Sequence, residues 1–467
     1  MSTCRSTTAS VTSGLYSSSG NKGGELVGTS VEEGEMTQSR VTLPDLSQEI
    51  DQVFAGAARS LDQLLARSGS VGLIRVGMEA LEVLESRFGA GARAEVAANV
   101  ERLVQTTIGS EITAQDRFTH GLGVQDEVVV MFFRPIGDRD FFDRRLPSLA
   151  LALRKQVEKQ RQQLVFPYLR PAPRLDVGWG LAPHNAAVRA SRTIAVALEQ
   201  ARQDARIHAE ASELEESRQL ATLVIHELVR PVFEPIVHLP SRTIYGVEAL
   251  SRGPQDSIWE SPAHLFGVAR RAKSLFELDV VCRRIALREL AGRIPASQAV
   301  FLNCMPSALL DPSFSGHTLG QTLGACGLHP HQVVIEINEQ ESIQNSELFH
   351  KAVHHYRQVG IRIALDDVGS GYASLSSILD TRPDLVKIDL SLVRSVDKDP
   401  AREELIRTLV KLAHRIGASC VAEGVETREE LETLERLGLD YVQGYLFTRA
   451  TSLDEALNPA VLERAFG

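Results

Sequence analysis

Cysteine, aromatic residues and long apolar runs are scarce in this chain of 467 residues. Its five cysteines, Cys4, Cys282, Cys304, Cys326 and Cys420, are odd in number, and none belongs to a CxxC pair. This pattern speaks against a disulfide framework and favours a reducing, intracellular setting. No run approaches the ~18 apolar residues of a transmembrane helix, and no basic-then-apolar leader opens the sequence. We therefore expect a cytoplasmic protein without membrane insertion.

Basic residues are also fewer than acidic ones. The chain has 50 Lys and Arg and 60 Asp and Glu, for a net charge of -10. A nucleic acid polymer is therefore not an expected partner, since its phosphates require clustered Lys and Arg. A small anionic ligand remains compatible if metal ions supply the positive charge. The hydrophobic fraction of 43% suffices for a sizeable core, and the length predicts two or three domains.

The N-terminal part divides into a tail and a small domain. Residues 1–44 are rich in Ser, Thr and Gly, so they cannot bury enough apolar surface to fold, and we predict a disordered tail. In residues 45–184, the apolar runs Val71–Val76, Val128–Phe133 and Leu175–Leu181 alternate with helical patterns. This alternation predicts a small α/β domain with a mixed sheet.

Residues 185–228 follow a helical pattern with few breakers. We predict a long connecting helix there, compatible with pairing to a second copy of itself. Two ordinary helices with a turn between them fit the same pattern equally well.

Residues 229–467 show a regular alternation of short apolar runs and helical segments. The runs end near seven polar residues: Glu248, Asn303, Glu336, Asp366, Lys387, Glu423 and Gln443. Repeated strand-then-helix units predict a parallel sheet, and this many predict a closed barrel. The expected fold class is thus α/β, with a C-terminal TIM-like (β/α)8 barrel after a smaller α/β domain and a connecting helix.

In a parallel barrel the carboxyl ends of all strands open on one face, so these residues and Asp367 should gather around one mouth. Any one such acid is more often a surface charge or a helix cap. Polar residues at seven strand ends are unlikely to arise by chance, so together they argue for a functional site. Crowded carboxylates repel one another and attract cations. Oxygen ligands favour Mg²⁺ or Mn²⁺ over zinc. Two such ions suit phosphoester hydrolysis, and a lysine among acids can orient a nucleophile or steady a phosphate oxygen.

At these positions the sequence resembles a known family. The segment YGVEALSR, residues 245–252, matches the signature of EAL domains, which hydrolyse the second messenger cyclic di-GMP. Six further motifs follow in the family's order: FLN (301–303), VIEINE (334–339), ALDDVGSGY (364–372), VKID (386–389), AEGVE (422–426) and VQGY (442–445). The resemblance covers about 235 residues, and an ordered set of seven motifs is highly specific.

The resemblance implies two metal ions, Mg²⁺ or Mn²⁺, and a linear pGpG product. Glu248, Asn303, Glu336 and Asp366 would hold one ion, and Asp366 would bridge to a second ion bound by Asp367 and Glu423. Lys387 would position the attacking water, and Gln443 would support that water or the metal shell. The family often forms homodimers through the loop after Asp367.

Further roles follow by position. Arg252 resembles a substrate contact, Glu339 resembles the glutamate that pins the loop after Asp367, and Glu426 is its helper near the mouth. Glu234 lies on the substrate side and departs from the family, which has Gln-Pro-Ile where this chain has Glu234-Pro235-Ile236. Asn338, Val368 and Ser370 replace a threonine, a phenylalanine and a threonine. No departure removes a metal ligand.

The first domain resembles a degenerate GGDEF domain, the family that synthesises the same messenger. The family's metal-binding aspartate would fall near Val76, where this chain has no acid. Arg87-Phe88-Gly89 fits the family's Y-G-H turn, and Gly178–Ala182 resembles its S-I-G-I-A strand. The segment VQDEV, residues 124–128, replaces the signature. Without paired glycines the backbone cannot approach a phosphate, so synthesis is not expected.

We interpret Asp126 and Glu127 as a turn before the next strand, and the domain as regulatory or dimerising. An unrelated α/β sensor domain is the alternative.

Two classes of protein fit the whole chain. One is a phosphodiesterase controlled by an inactive GGDEF-like domain. The other is a receptor or scaffold that binds cyclic di-GMP without cleaving it and signals through the connecting helix. The complete acid ring favours the enzyme.

Overall fold

The computed structural model describes residues 58–78, 82–120, 127–169, 172–305, 307–308, 311–312, 314, 316–338, 346–369, 378 and 381–467. Predictions for the tail 1–44, for Val124, Gln125 and Asp126, for Glu339 and for Ser370 lie outside these residues. The chain forms two compact units that divide between Ala205 and Arg206.

The strands are β1 (Gly69–Gly77), β2 (Arg117–His120), β3 (Glu127–Pro135), β4 (Asp176–Pro183), β5 (Arg230–His238), β6 (Thr243–Arg252), β7 (Ala299–Asn303), β8 (Val333–Asn338), β9 (Arg362–Val368), β10 (Leu385–Ile388), β11 (Ser419–Ala422) and β12 (Tyr441–Val442). The α-helices are α1 (Ala58–Ser68), α2 (Glu82–Phe88), α3 (Ala90–Ile108), α4 (Leu146–Val165), α5 (Ala190–Ile225), α6 (Pro262–Arg271), α7 (Leu275–Leu290), α8 (Gly316–Ala325), α9 (Ser346–Val359), α10 (Leu390–Val393), α11 (Pro400–Ile416), α12 (Arg428–Leu437), α13 (Leu453–Ala456) and α14 (Glu463–Phe466). A π-helical turn, Phe141–Arg145, precedes α4.

The first unit contains a four-stranded sheet with the order β2-β3-β1-β4. Its three predicted strands are confirmed, but the expected mixed sheet is wrong, because every neighbouring pair is antiparallel. The helical crossovers from β1 to β2 and from β3 to β4 each skip one strand, as in a split β-α-β-β-α-β unit. Strands that run in the same direction are therefore never adjacent.

The sheet of the first unit is covered on both faces. Residues that alternate along β1 point to opposite sides: Ile74 and Val76 pack in one apolar cluster, and Val71 and Leu73 pack in another. The second cluster includes the first part of α5.

Helix α5 approaches β4 very closely. A Cβ atom on Gly178 would lie 1.9 Å from the Ala201 carbonyl oxygen, and one on Gly180 would lie 2.1 Å from that of Ala197. Both glycines are therefore required for this packing.

Glu127 is not in a turn, so that interpretation is wrong. It is the first residue of β3 and is fully buried. Its carboxylate lies 3.0 Å from Arg75 Nε and 2.7 Å from Arg202 Nη2. Because alternate residues of β3 face α5, Glu127 meets Arg202 of that helix. An ionised carboxylate is buried only with such partners.

The segment between the two predicted domains is one continuous helix of 36 residues, Ala190–Ile225. It contains no turn. Among the helices that the structure describes, none combines the length and the apolar character that a membrane span requires.

The second unit is a closed eight-stranded barrel with the order β5-β6-β7-β8-β9-β10-β11-β12, as expected for a TIM-like fold. One strand differs from the all-parallel expectation: β5 runs antiparallel to both β6 and β12. Only residues 239–242 connect β5 to β6, and such a short connection allows a hairpin but no crossover helix.

An apolar floor fills the lower part of the barrel interior. It consists of Ile236, Ala299, Phe301, Val334, Ala364, Leu385 and Val421. On the parallel strands β7 to β11, the residues two positions after Phe301, Val334, Ala364, Leu385 and Val421 point inward again. Sequence period alone therefore aims the next layer into the mouth of the barrel.

Candidate active site

The inward layer above the apolar floor carries most of the predicted site. Asn303, Glu336, Asp366, Lys387 and Glu423 each follow a floor residue by two positions. Parallel pairing places Asn303 beside Glu336. The barrel thus collects on one ring residues that are far apart in the sequence.

Lys387 lies at the centre of this ring and is 1% exposed. Its Nζ atom is 2.6 Å from Glu336 Oε1, 2.6 Å from Glu423 Oε1, 3.0 Å from Asp366 Oδ1 and 3.4 Å from Glu248 Oε2. One ammonium group is thus shared among four carboxylates.

The electrostatics of the ring are unbalanced. Burial would lower the pKa of Lys387, but Asp366 and the neighbouring carboxylates outweigh it and hold that pKa well above its ordinary value. Burial raises the pKa values of Glu336 and Glu423 well above their usual range. A single cation cannot stabilise the ionised form of every acid around it, so the ring favours further positive charge.

Glu248 is held in its ionised form. Burial acts to raise its pKa, but Lys387 and hydrogen bonds from neighbouring side chains outweigh it and lower the pKa. Asn303 Nδ2 donates to Oε1 at 3.1 Å, and Gln443 Nε2 donates to Oε2 at 2.7 Å. These donors also fix the orientation of the carboxylate.

Asp367 lies at the rim with a left-handed backbone, φ 59°. This conformation is uncommon outside glycine and is often found at functional sites. The side-chain amide of Asn338 donates to its carboxylate. Burial, followed by repulsion from Asp366 and Asp389, raises the pKa of Asp367 to about 6.

The donor set fits hard divalent cations. Asp366, Asp367 and Glu423 each offer an oxygen, and these oxygens lie within 4.8 Å of one another. Glu336 Oε2 and Gln443 Oε1 are buried without a hydrogen-bond partner, and such atoms require an explanation. Clustered oxygen ligands with unsatisfied lone pairs suit Mg²⁺ or Mn²⁺.

A cavity of about 560 Å³ opens beside the ring. Its lining includes Arg252, Asn303, Glu336, Asp366 and Asp367. Helices α6 and α7 contribute the facing wall, with Phe266, Arg270, Asp279 and Arg283 among its residues. The cavity therefore joins the acid ring to Arg252 and Arg270, whose cationic side chains can meet an anionic ligand.

Glu234 faces Glu248 across the β5–β6 pair and is buried. Burial, with repulsion from Glu248, raises its pKa to about 7, and Lys387 and Arg252 oppose this shift. It thus adds a sixth acid to the vicinity of the ring.

Glu426 is not brought to the cavity. Its side chain is exposed and pairs with Arg394. Sequence reasoning also missed Asp279, Arg283, Cys304 and Tyr356, which form a buried polar group next to Asn303. The available signal was two charged residues, four positions apart, on the apolar side of α7.

Comparison with known proteins gives consistent similarities. The family model "EAL domain" matches residues 217–450. Probable cyclic di-GMP phosphodiesterase PdeG of Escherichia coli (strain K12) is 30% identical over 221 residues, which is 46% of this chain and 43% of PdeG. The blue light- and temperature-regulated antirepressor BluF of the same organism is 28% identical over 218 residues, 47% of this chain and 53% of BluF.

Among solved structures, a cyclic di-GMP-bound standalone EAL protein from Vibrio cholerae O395 is 28% identical, with a TM-score of 0.43. The match covers 48% of this chain and 92% of that protein. The chain spans about half or less of the length of the curated relatives that it matches.

Proposed function

The chain belongs to the EAL domain family, and we propose that its barrel is a phosphodiesterase that hydrolyses cyclic di-GMP to linear pGpG. The observation that carries this proposal is the ring in which Lys387 meets four buried carboxylates beside an open cavity. Curated relatives of E. coli named as probable cyclic di-GMP phosphodiesterases support it.

Divalent metal ions, Mg²⁺ or Mn²⁺, are part of this proposal. Glu248, Asn303, Glu336 and Asp366 would hold one ion, and Asp366, Asp367 and Glu423 would hold a second. When bound, two such ions lower the pKa of a water molecule and stabilise charge on the attacked phosphate.

The protein's own groups orient the reactants. Lys387 remains protonated, since its pKa is raised, so it donates hydrogen bonds to a water or phosphate oxygen and does not act as a base. Gln443 donates to Glu248 through Nε2, which leaves its buried Oε1 atom to accept a hydrogen bond from the attacking water. Arg252 lines the cavity and would bind a phosphate oxygen of the dinucleotide.

The remaining roles stay proposals from the family resemblance. Glu339 would pin the loop after Asp367. Glu234 would weaken the binding of the anionic substrate, because its carboxylate lies close to Arg252 and Glu248.

Turnover by the purified full-length protein tests the proposal. With Mg²⁺ or Mn²⁺, it should convert cyclic di-GMP to pGpG, as measured by ion-exchange chromatography. Glu248→Ala should abolish the conversion. Intact cyclic di-GMP after hours with both metals, despite measurable binding, would contradict the proposal.

A second candidate is a receptor that binds cyclic di-GMP without cleavage. The similarity to BluF, whose name describes an antirepressor, favours it, as does the additional acid Glu234. Equilibrium binding combined with the turnover assay separates the two functions.

The domain predicted at residues 45–184 would be an inactive GGDEF-like regulator, joined through the helix of residues 185–228 to the barrel of residues 229–467. Support comes from Glu127, whose carboxylate is occupied by Arg75 and Arg202 and is therefore not available to a nucleotide-bound metal. The protein should make no cyclic di-GMP from GTP. Detectable synthesis would contradict this interpretation.

A cytoplasmic homodimer completes the proposal. The exposed Ile207 and Leu214 lie seven residues apart on α5 and are 58% and 51% exposed, a spacing typical of helix pairing. Light scattering coupled to size exclusion should give twice the chain mass.

A further inference from the structure

The segment that follows β7 helps to determine where Asn303 lies. Asn303 is the last residue of β7 and the uncharged member of the proposed metal ligands. Its side chain is steadied within the ring by the hydrogen bond to Glu248. The next residue, Cys304, donates its backbone N–H to the Glu336 carbonyl oxygen at 3.1 Å. Any shift of the segment after Asn303 would therefore move the amide relative to the carboxylates.

A buried arginine on α7 spans this segment. Arg283 is 3% exposed, and its Nη1 atom lies 2.7 Å from Asp279 Oδ2 and 3.3 Å from Cys304 Sγ. Its Nη2 atom lies 3.2 Å from Asp311 Oδ2, further along the same segment. One planar guanidinium thus links α7 to both Cys304 and Asp311.

Two other side chains hold the segment from either side. Asp279 accepts a hydrogen bond from the Met305 backbone N–H. From α9, the fully buried Tyr356 places its hydroxyl 3.5 Å from Cys304 Sγ. Both residues directly after Asn303 are therefore fixed by buried polar groups.

A buried ionic group is a weak source of stability, because desolvation offsets much of the Coulombic attraction. The buried side of α7 is otherwise mostly apolar, with Leu278, Val281 and Ala286, so an apolar residue would also pack here. What the arginine adds is directional bonding in a fixed planar geometry. Removal of residues that orient metal ligands typically weakens metal binding.

Building on the proposed function, we propose that Arg283 and Asp279 are positioning residues, which fix the segment after β7 and thereby hold the Asn303 amide in register with the carboxylate ring. They act on the metal site through Asn303. Their effect should therefore appear in metal affinity before it appears in turnover at saturating metal.

Mn²⁺ affinity of the full-length protein without substrate tests this proposal. Electron paramagnetic resonance of the free ion measures that affinity. Arg283→Lys retains a charge for Asp279 but cannot reach Cys304 and Asp311 together, so we expect Mn²⁺ affinity to fall on the order of tenfold. Tyr356→Phe should weaken Mn²⁺ binding in the same direction by a smaller factor.

Arg284→Lys is the matched control. Arg284 is the next residue on α7, its side chain is 51% exposed, and it pairs with Glu227 at 2.6 Å. The same substitution there should leave Mn²⁺ affinity unchanged.

The outcomes separate this proposal from the proposed function. Wild-type affinity in Arg283→Lys, together with weakened binding in Asn303→Ala, would overturn the positioning role and leave the metal site intact. No Mn²⁺ binding by the wild type would instead contradict the proposed function. If Arg283→Lys fails to fold, Tyr356→Phe decides, because unchanged Mn²⁺ affinity in that variant overturns the positioning role.

Discussion

The two units each bury a charged cluster, and the clusters differ in kind. In the first unit, the fully buried Glu127 carboxylate is bound by Arg75 and Arg202. In the barrel, Lys387 is shared among four carboxylates, and Glu336 Oε2 and Gln443 Oε1 have no hydrogen-bond partner. A carboxylate whose partners are in place is structural, whereas buried oxygens without partners beside a cavity indicate a site for a ligand.

The largest expected effect is a loss of catalytic activity when the Lys387 cluster, and not the Glu127 cluster, is altered. Lys387→Met should reduce kcat by about 10³-fold, because a preorganised cation next to the reacting phosphate is lost. The protein should remain folded by circular dichroism. Turnover within tenfold of the wild type would make the Lys387 cluster structural, like that of Glu127.

A substitution in the Glu127 cluster should instead lower the free energy of unfolding of the first unit. Glu127→Gln preserves the shape but leaves two buried arginines without a carboxylate, which typically costs about 3–5 kcal/mol. Trp179 lies in the first unit and Trp259 in the second, so urea unfolding followed by fluorescence in a Trp259→Phe background reports on the first unit. An unchanged midpoint would show that the cluster does not stabilise this unit.

The two clusters should also differ in their response to pH and metal. Burial raises the pKa values of Glu336 and Glu423 well above their usual range, so these carboxyl groups keep their protons to a higher pH than exposed glutamates do when no metal ion is bound. Metal binding must release those protons, so Mn²⁺ affinity should rise with pH. Calorimetry in buffers of different ionisation enthalpy measures the released protons. An Mn²⁺ affinity that does not rise with pH would contradict this picture.

The smallest expected effect concerns Glu234. Its pKa of about 7 means that its negative charge develops as pH rises through 7. Glu234→Gln should therefore lower KM for cyclic di-GMP a few-fold at pH 8 and have little effect at pH 6. An equal effect at both values would show that shape, and not charge, distinguishes the two side chains.

The alternation of short apolar runs and helical segments predicted the barrel, and the polar residues at the ends of those runs predicted its ring. Five of the inward polar residues follow an inward apolar one by two positions, as Asn303 follows Phe301 and Lys387 follows Leu385, and this spacing can be read from the amino-acid sequence. The short strand β2, with the sequence RFTH, has no apolar run and was not predicted. The direction of β5 was also missed, because an apolar period does not depend on direction.

Local sequence determined which residues line the interior of the barrel and which strands carry polar ends, since a two-residue alternation is a property of neighbouring positions. Tertiary structure alone decided how those residues meet. Gln443 and Glu248 are 195 positions apart and hydrogen bond only because the barrel closes. Burial of Glu127, the link of Arg283 to Cys304 and the shifted pKa values likewise depend on distances and desolvation that exist only after packing.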